Sequence, residues 1–343
     1  LRSDTVTKPD KRMRAAMADA DVGDDVLDGD PTMAKLQDRV AELLGVEAAL
    51  WVPTGSMGNL IALTAQLSRG DAFLAPAGAH VLDAELGTVA WIAGGMPRPL
   101  PHDAGPGKIT PDAVRRAVGR PGPYYALRTS LLSLENTHMS AGGVVTEVDE
   151  HAALAAAARS AGLAVHLDGA RLWHAAVALE LPPAALAVGV DTVQVCLSKG
   201  LGAPVGSVVG GSAEFVEQAR RLRKMLGGGI RQGGVLAAAG LVALENIDRL
   251  TEDHERAARL AAGLADRGWR VSMPTTNIVL LTPADLPGTL RRFEQVGVLA
   301  SPMGNAIRFV THRDLTDADI PTALTRIGPV DIPDSRVSGI FPG

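Results

Sequence analysis

Lys199 and Asp168 are the side chains whose type and setting could do covalent chemistry. An apolar run over residues 192–197 reads as a short buried strand that delivers Ser198 and Lys199 to a turn built from Gly200, Gly202 and Pro204. A lysine held at a strand end, followed by residues of little bulk, is open to desolvation. The amine can then lose its proton near neutral pH, as capture of a carbonyl requires. Upstream, residues 164–172 (AVHLDGARL) form a second short apolar run ending on the Asp168 carboxylate, with Arg171 three residues on. A Schiff-base lysine and an acid facing a pyridinium nitrogen, on neighbouring strand ends, are what a pyridoxal phosphate site needs. Taken alone, the same residues also read as a solvated loop lysine and a helix-capping aspartate, because short motifs match by chance.

Such a site must be positioned by the elements around it. Residues 48–53 read as a strand, 54–59 (TGSMGN) as a small-residue turn, and the chain to 67 as a helix. That arrangement aims free backbone N–H groups at an anion, for which a phosphate is the natural guest. Neither GxGxxG nor GxxxxGK[ST] is present there, and a plain structural turn is the competing reading. A helix over 31–44 precedes it, with Met33, Leu36, Val40, Leu43 and Leu44 at helical intervals and Asp30 as cap before Pro31. Strands at 71–76, 130–135, 164–167, 192–197 and 205–210 alternate with helices at 79–87 (carrying His80), 110–119 and 149–162. This alternation predicts a mainly parallel sheet covered on both faces, with ligands beyond the strands' carboxyl ends. Residues 54–59, 133–138, Asp168 and Lys199 all fall at that end.

The flanks differ in texture. Residues 1–30 carry little periodicity and much local charge, and read as an extended arm laid across another surface. Residues 31–244 form the large domain. From 245 the chain turns charged and helical, with Leu260, Ala261, Leu264 and Ala265 on one face. A strand within 271–281, a helix at 290–298 and a strand at 306–310 then make 245–343 a small α+β domain with a loose Pro-rich end at 329–343.

Composition removes other classes. Hydrophobic residues are 46% of the 343 and aromatics 3%, so the core should be close-packed small aliphatics. The net charge of −5 is spread without long blocks, which leaves no footprint for nucleic acid or an anionic membrane. Cys196, the single cysteine, cannot form an intrachain disulfide and reads as a buried structural thiol. No run is long and apolar enough to span a bilayer, and LRSDTVT lacks the features of a signal peptide, so a cytoplasmic location is expected.

The motifs RSDTVT (2–7), VGDD (22–25), DPT (30–32), GSMGN (55–59), ENTH (135–138), HLDGARL (166–172), CLSKGLGAPVGS (196–207), RK with GGGIRQ (223–232) and DH (253–254) follow in order. Together they resemble the threonine aldolase family, pyridoxal phosphate enzymes of fold type I related to the beta-eliminating lyases. The resemblance implies a transferase-like α/β fold, with a mainly parallel seven-stranded sheet in the large domain and a small C-terminal α+β domain. It implies retro-aldol cleavage of L-threonine, L-allo-threonine or related L-β-hydroxy-α-amino acids to glycine and an aldehyde. A β-eliminating lyase or a glycine-dependent transaldolase would share the lysine and aspartate; a non-catalytic cofactor-binding scaffold is a more distant alternative.

Roles follow from the same resemblance. Lys199 would carry the cofactor, Asp168 would keep its ring nitrogen protonated, and His80 would stack on the ring and take the β-hydroxyl proton. Gly55, Ser56 and Met57 would cradle the phosphate. Arg308 and Arg171, helped by Ser3, would clamp the α-carboxylate, with Arg171 also counted among the cofactor-binding residues. Lys224 and Arg231 resemble residues that reach a neighbouring subunit's phosphate, which implies a homo-oligomer, dimer or tetramer, with shared sites and no metal. Leu27 stands where many members have tyrosine, Tyr125 near where some have histidine, and His174 where asparagine is common; the first two positions bear on the β-substituent.

Overall fold

The computed structural model describes residues 1–119 and 122–330. In chain order the elements of the large part are helices α1 (Lys11–Ala18) and α2 (Pro31–Leu44), strand β1 (Ala48–Val52), α3 (Gly55–Gln66), β2 (Ala72–Pro76), α4 (His80–Asp83), β3 (Met96–Leu100), α5 (Pro111–Val118) and β4 (Thr129–Glu135). Then come α6 (Val148–Ser160), β5 (Ala164–Gly169), α7 (Leu172–Leu179), α8 (Pro183–Leu186), β6 (Thr192–Cys196), β7 (Ser207–Gly211), α9 (Ala213–Met225) and α10 (Gly234–Leu244). The remainder holds α11 (Leu250–Ala265), β8 (Val271–Ser272), β9 (Ile278–Leu281), α12 (Leu286–Gln295), β10 (Ser301–Met303), β11 (Ala306–Val310) and α13 (Asp319–Ile327). The Pro-rich end from 331 lies outside the described residues.

Seven strands form one sheet in the order β1-β7-β6-β5-β4-β2-β3. From β6 to β3 every pairing is parallel, in keeping with the helical crossovers between those strands. β7, by contrast, runs antiparallel to both β6 and β1. The stretch 197–206 is too short to carry a crossover helix, so the chain returns alongside β6, and the Lys199 turn is that return. β3 (MPRPL) was not foreseen as a strand; its prolines are tolerated because it is the sheet's edge.

The segment read as an extended arm contains a helix. Asp10 caps α1 by accepting from Met13 N, and Met13 and Met17, one turn apart, pack into the core that α10 shares. A charged segment with two methionines has too thin an apolar stripe to announce a helix, and burial against α10 makes it one. The helix expected over 79–87 is only the single turn α4. Leu86 and Gly87, both at positive φ, turn the chain and leave Glu85 buried under His80.

A second sheet, β10-β11-β9-β8, is wholly antiparallel and is packed by α11, α12 and α13 around Leu260, Leu264, Phe293, Phe309 and Ile320. The N-terminus attaches to it: Val310 N donates to the Leu1 carbonyl at 2.8 Å. Residues 3–7 are thereby held between the two sheets.

Candidate active site

The carboxyl ends of β5 and β6, the first turn of α3 and the α4 segment border a chamber of about 300 Å³. Thr54, Gly55, Ser56, His80, Asp168 and Lys199 are among its lining. Lys199 is half-buried in the β6–β7 turn, and its carbonyl accepts from Thr7 Oγ1 at 2.8 Å and from Gly202 N at 2.9 Å. Gly202 sits at φ +87°, a conformation that favours glycine, so the turn needs that residue to fold back under its lysine.

Across the chamber α3 begins. Thr54 caps it by accepting from Met57 N at 3.1 Å, which leaves the amides of Gly55 and Ser56 and the Ser56 hydroxyl for an anion. Met57 thus commits its N–H to the cap rather than to the chamber. A Cβ on Gly55 would come within 3.0 Å of Cys196 Sγ, so the helix start is pressed against β6 beside the lysine turn. This anion cradle, an amine and a buried acid in one chamber are the donor set that pyridoxal phosphate requires.

The acid belongs to a network. Asp168 Oδ1 accepts from Ala170 N at 3.0 Å and Oδ2 from Asn59 Nδ2 at 2.8 Å. The same amide nitrogen donates to Glu85 Oε1 at 2.8 Å, and Asn59 Oδ1 lies 3.0 Å from His166 Nε2. Since Asn59 Oδ1 can only accept, His166 carries its proton on Nε2, and Nδ1 accepts from Thr192 Oγ1 at 2.9 Å. Burial lowers His166 to about 4, so the ring is neutral. His80 Nδ1 lies 2.7 Å from Glu85 Oε1. With Glu85 as the acceptor, Nδ1 carries a proton, and in the neutral ring Nε2 is the nitrogen free to accept one. The hydrogen bond to Glu85 raises the His80 pKa, against burial and with help from the Asp168 charge.

Glu135, at the end of β4, accepts from His80 N at 2.6 Å and Met139 N at 2.8 Å, fixing the backbone of α4. Burial, then the Asp168 charge, pushes its carboxyl up to about 7. His80, Glu85 and Asp168 set one ligand atom each within 4.8 Å of one another, with the Asn59 amide between the two carboxylates. Asn59, Glu85, His166 and Glu135 are the participants that sequence reasoning did not assign. Asn59 falls one helical turn after Gly55, the one signal that could have placed it at the chamber.

Arg171, expected in the carboxylate clamp, has one edge of its guanidinium held by Asp4. It is buried and makes a bidentate pair with Asp4, Nε to Oδ2 at 2.8 Å and Nη2 to Oδ1 at 2.7 Å. Asn277 Nδ2 adds a 3.3 Å contact to Asp4. Arg308, on β11, is half-buried; its Nε has no hydrogen-bond partner among the described residues, and burial, then the Arg171 charge, lowers its pKa. Ser3 caps the one-turn helix that holds Asp4. Burial drives the Asp4 carboxyl up, but the Arg171 guanidinium overcomes this and holds it well below the usual carboxylate range. Asp4→Asn should therefore lower the unfolding free energy at neutral pH by about 3–5 kcal/mol, because a buried guanidinium is left unpaired. A depressed carboxyl contributes above its unfolded pKa and loses that contribution as pH falls through its folded one. The gap between wild type and variant in urea unfolding should thus narrow below about pH 4.

Lys224 and Arg231 are exposed and stand outside this chain's chamber, Arg231 within 3.1 Å of Asp24. Leu27 and Tyr125 are also on the surface.

Residues 1–285 match the family model described as beta-eliminating lyase. The chain is similar to low-specificity L-threonine aldolase 1 of Arabidopsis thaliana, 42% identical over 338 residues, covering 95% of this chain and 94% of that protein. It is similar to the low specificity L-threonine aldolase of Escherichia coli (strain K12), 40% identical over 321 residues, covering 92% and 94%. Among solved structures, Leishmania major threonine aldolase superposes with a TM-score of 0.82 at 20% identity, covering 95% of this chain and 97% of that one. The architecture is that of fold type I.

Proposed function

The chain belongs to the threonine aldolases of the beta-eliminating lyase family, and from that premise we propose that it cleaves L-β-hydroxy-α-amino acids such as threonine to glycine and an aldehyde. The observation that carries the reading is the convergence of Lys199, Asp168 and the His80 imidazole on one chamber with an anion cradle in its wall.

Bound pyridoxal phosphate supplies an electron sink for the pair left on Cα when a bond to it breaks. The protein's own groups do the rest. Lys199 would hold the cofactor at one end, and the Gly55 and Ser56 amides with the Ser56 hydroxyl would hold its phosphate at the other. Asp168, kept in place by Asn59 and Ala170, holds a proton at the ring nitrogen. His80 Nε2 takes the proton of the β-hydroxyl. The hydroxyl oxygen then becomes the aldehyde carbonyl as the Cα–Cβ bond breaks, and a proton returned to Cα completes glycine. No water is consumed and no redox partner is required.

Arg308 is the main cation for the substrate α-carboxylate, with the Nη1 side of Arg171, whose other edge Asp4 holds, beside it. A charge-assisted hydrogen bond of this kind contributes about 1.5–3 kcal/mol. Arg308→Ala should raise the glycine dissociation constant about 10–100-fold with the cofactor still loaded, read from the absorbance change on glycine addition. Unchanged affinity would remove Arg308 from the site. The exposure of Lys224 and Arg231 supports a shared arrangement in which they serve a second copy's phosphate within a homo-oligomer.

The test is to incubate the cofactor-loaded protein with L-threonine, L-allo-threonine and L-phenylserine and to measure glycine with acetaldehyde or benzaldehyde. Equal amounts of glycine and aldehyde are expected. A keto acid with ammonia would instead mark β-elimination.

A further inference from the structure

We infer that His174 and His254 form a cross-domain pair that holds the Lys199 turn in place, which makes both of them positioning residues for that amine. The inference rests on the reading of Lys199 as the cofactor-bearing lysine. His174 lies on α7, just past Arg171, and His254 on α11. His174 Nδ1 and His254 Nε2 are 3.0 Å apart, with ring centroids at 5.2 Å and planes tilted by 33°. One nitrogen must donate and the other accept, so a single proton bridges two neutral imidazoles. Burial lowers His174 to about 3 and His254 to about 4, which keeps a positive charge from arising behind Lys199 near neutral pH.

The pair presses on the turn itself. A Cβ on Gly200 would lie 2.6 Å from His174 Nε2 and 2.8 Å from Leu250 Cδ2, so the residue after Lys199 is seated directly on the imidazole. From another direction Thr7 Oγ1 holds the Lys199 carbonyl. The far end of the pair is anchored in the second domain. Thr311, next after β11, donates from Oγ1 to the Asp253 carbonyl at 2.6 Å. A continuous line of contacts thus runs from the strand of Arg308 through Thr311, the 253–254 step and His174 to Gly200. It sets the amine and the carboxylate clamp in one frame.

The test is made on apoprotein, by following pyridoxal phosphate capture from its absorbance in a stopped-flow mixer. His174→Ala and His254→Ala should each slow capture about tenfold, and the double variant should be no slower than either single one, because contacting residues couple. His174→Asn, which retains a donor and an acceptor, should recover to within about threefold of wild type. Capture at the wild-type rate in both alanine variants, or losses that multiply in the double variant, would overturn the pair's role. Should the alanine chains fail to fold, the wild-type apoprotein decides by NMR. A slowly exchanging imidazole N–H shared by His174 and His254 is expected, and its absence overturns the proposal. Wild-type protein that captures no pyridoxal phosphate would refute the underlying reading of Lys199, a result distinct from every other.

Discussion

Replacing Lys199 by alanine should abolish covalent capture of pyridoxal phosphate and lower threonine cleavage by at least about a thousandfold, the scale on which loss of an attacking group acts. Lys199 is the sole amine lining the chamber among the described residues, so no neighbour can take over. The anion cradle and Asp168 remain, and the variant should still bind the cofactor loosely. Its backbone contacts to Thr7 and Gly202 do not depend on the side chain, so stability should stay within about 0.5 kcal/mol of wild type. Absorbance of the lysine-bound cofactor and glycine release, measured side by side, check both halves. Full absorbance in the variant would remove Lys199 from its role.

Asp168→Asn is expected to be nearly as severe, with kcat falling about 10²–10³-fold, as when a preorganised charge is removed from a reacting centre. The substitution keeps the side chain's size but removes the charge that would keep the ring nitrogen protonated, and it sets an amide NH2 against one of the two donors, Asn59 Nδ2 or Ala170 N. Because Arg308 is untouched, KM for the amino acid should move little, which separates a chemical defect from a binding one. A second effect should accompany the first. Burial, then the Asp168 charge, raises the Glu135 carboxyl to about 7, so Glu135 should titrate lower in the variant, as followed by NMR. A kcat within twofold of wild type would contradict the assignment of Asp168.

The chemistry at strand ends was legible in the chain because it is local. Apolar runs, a carboxylate, a lysine and turn glycines fall within a few residues of one another, and alternation with helices orders the strands. What was not legible depends on pairings across long separations. Asp4 meets Arg171 across 167 residues of sequence, with Leu1 tied to β11, and that contact fixes one edge of a guanidinium read from the sequence as part of the clamp. Glu85 reaches His80 because α4 stops after one turn, whereas a helix read through residue 87 would carry it away. Asn59 was visible as a motif letter, but its bridging of two carboxylates exists only once α3, β5 and the α4 loop are assembled. β7 was legible as a strand but not in direction, since hydrophobicity does not distinguish a return from a crossover.

The most direct measurement is to reduce the cofactor-loaded protein with borohydride, digest it and locate the pyridoxyl group by mass spectrometry. The account predicts a single modified lysine, Lys199, in the peptide that follows β6. A pyridoxyl group on any other lysine, with Lys199 unmodified, would contradict it.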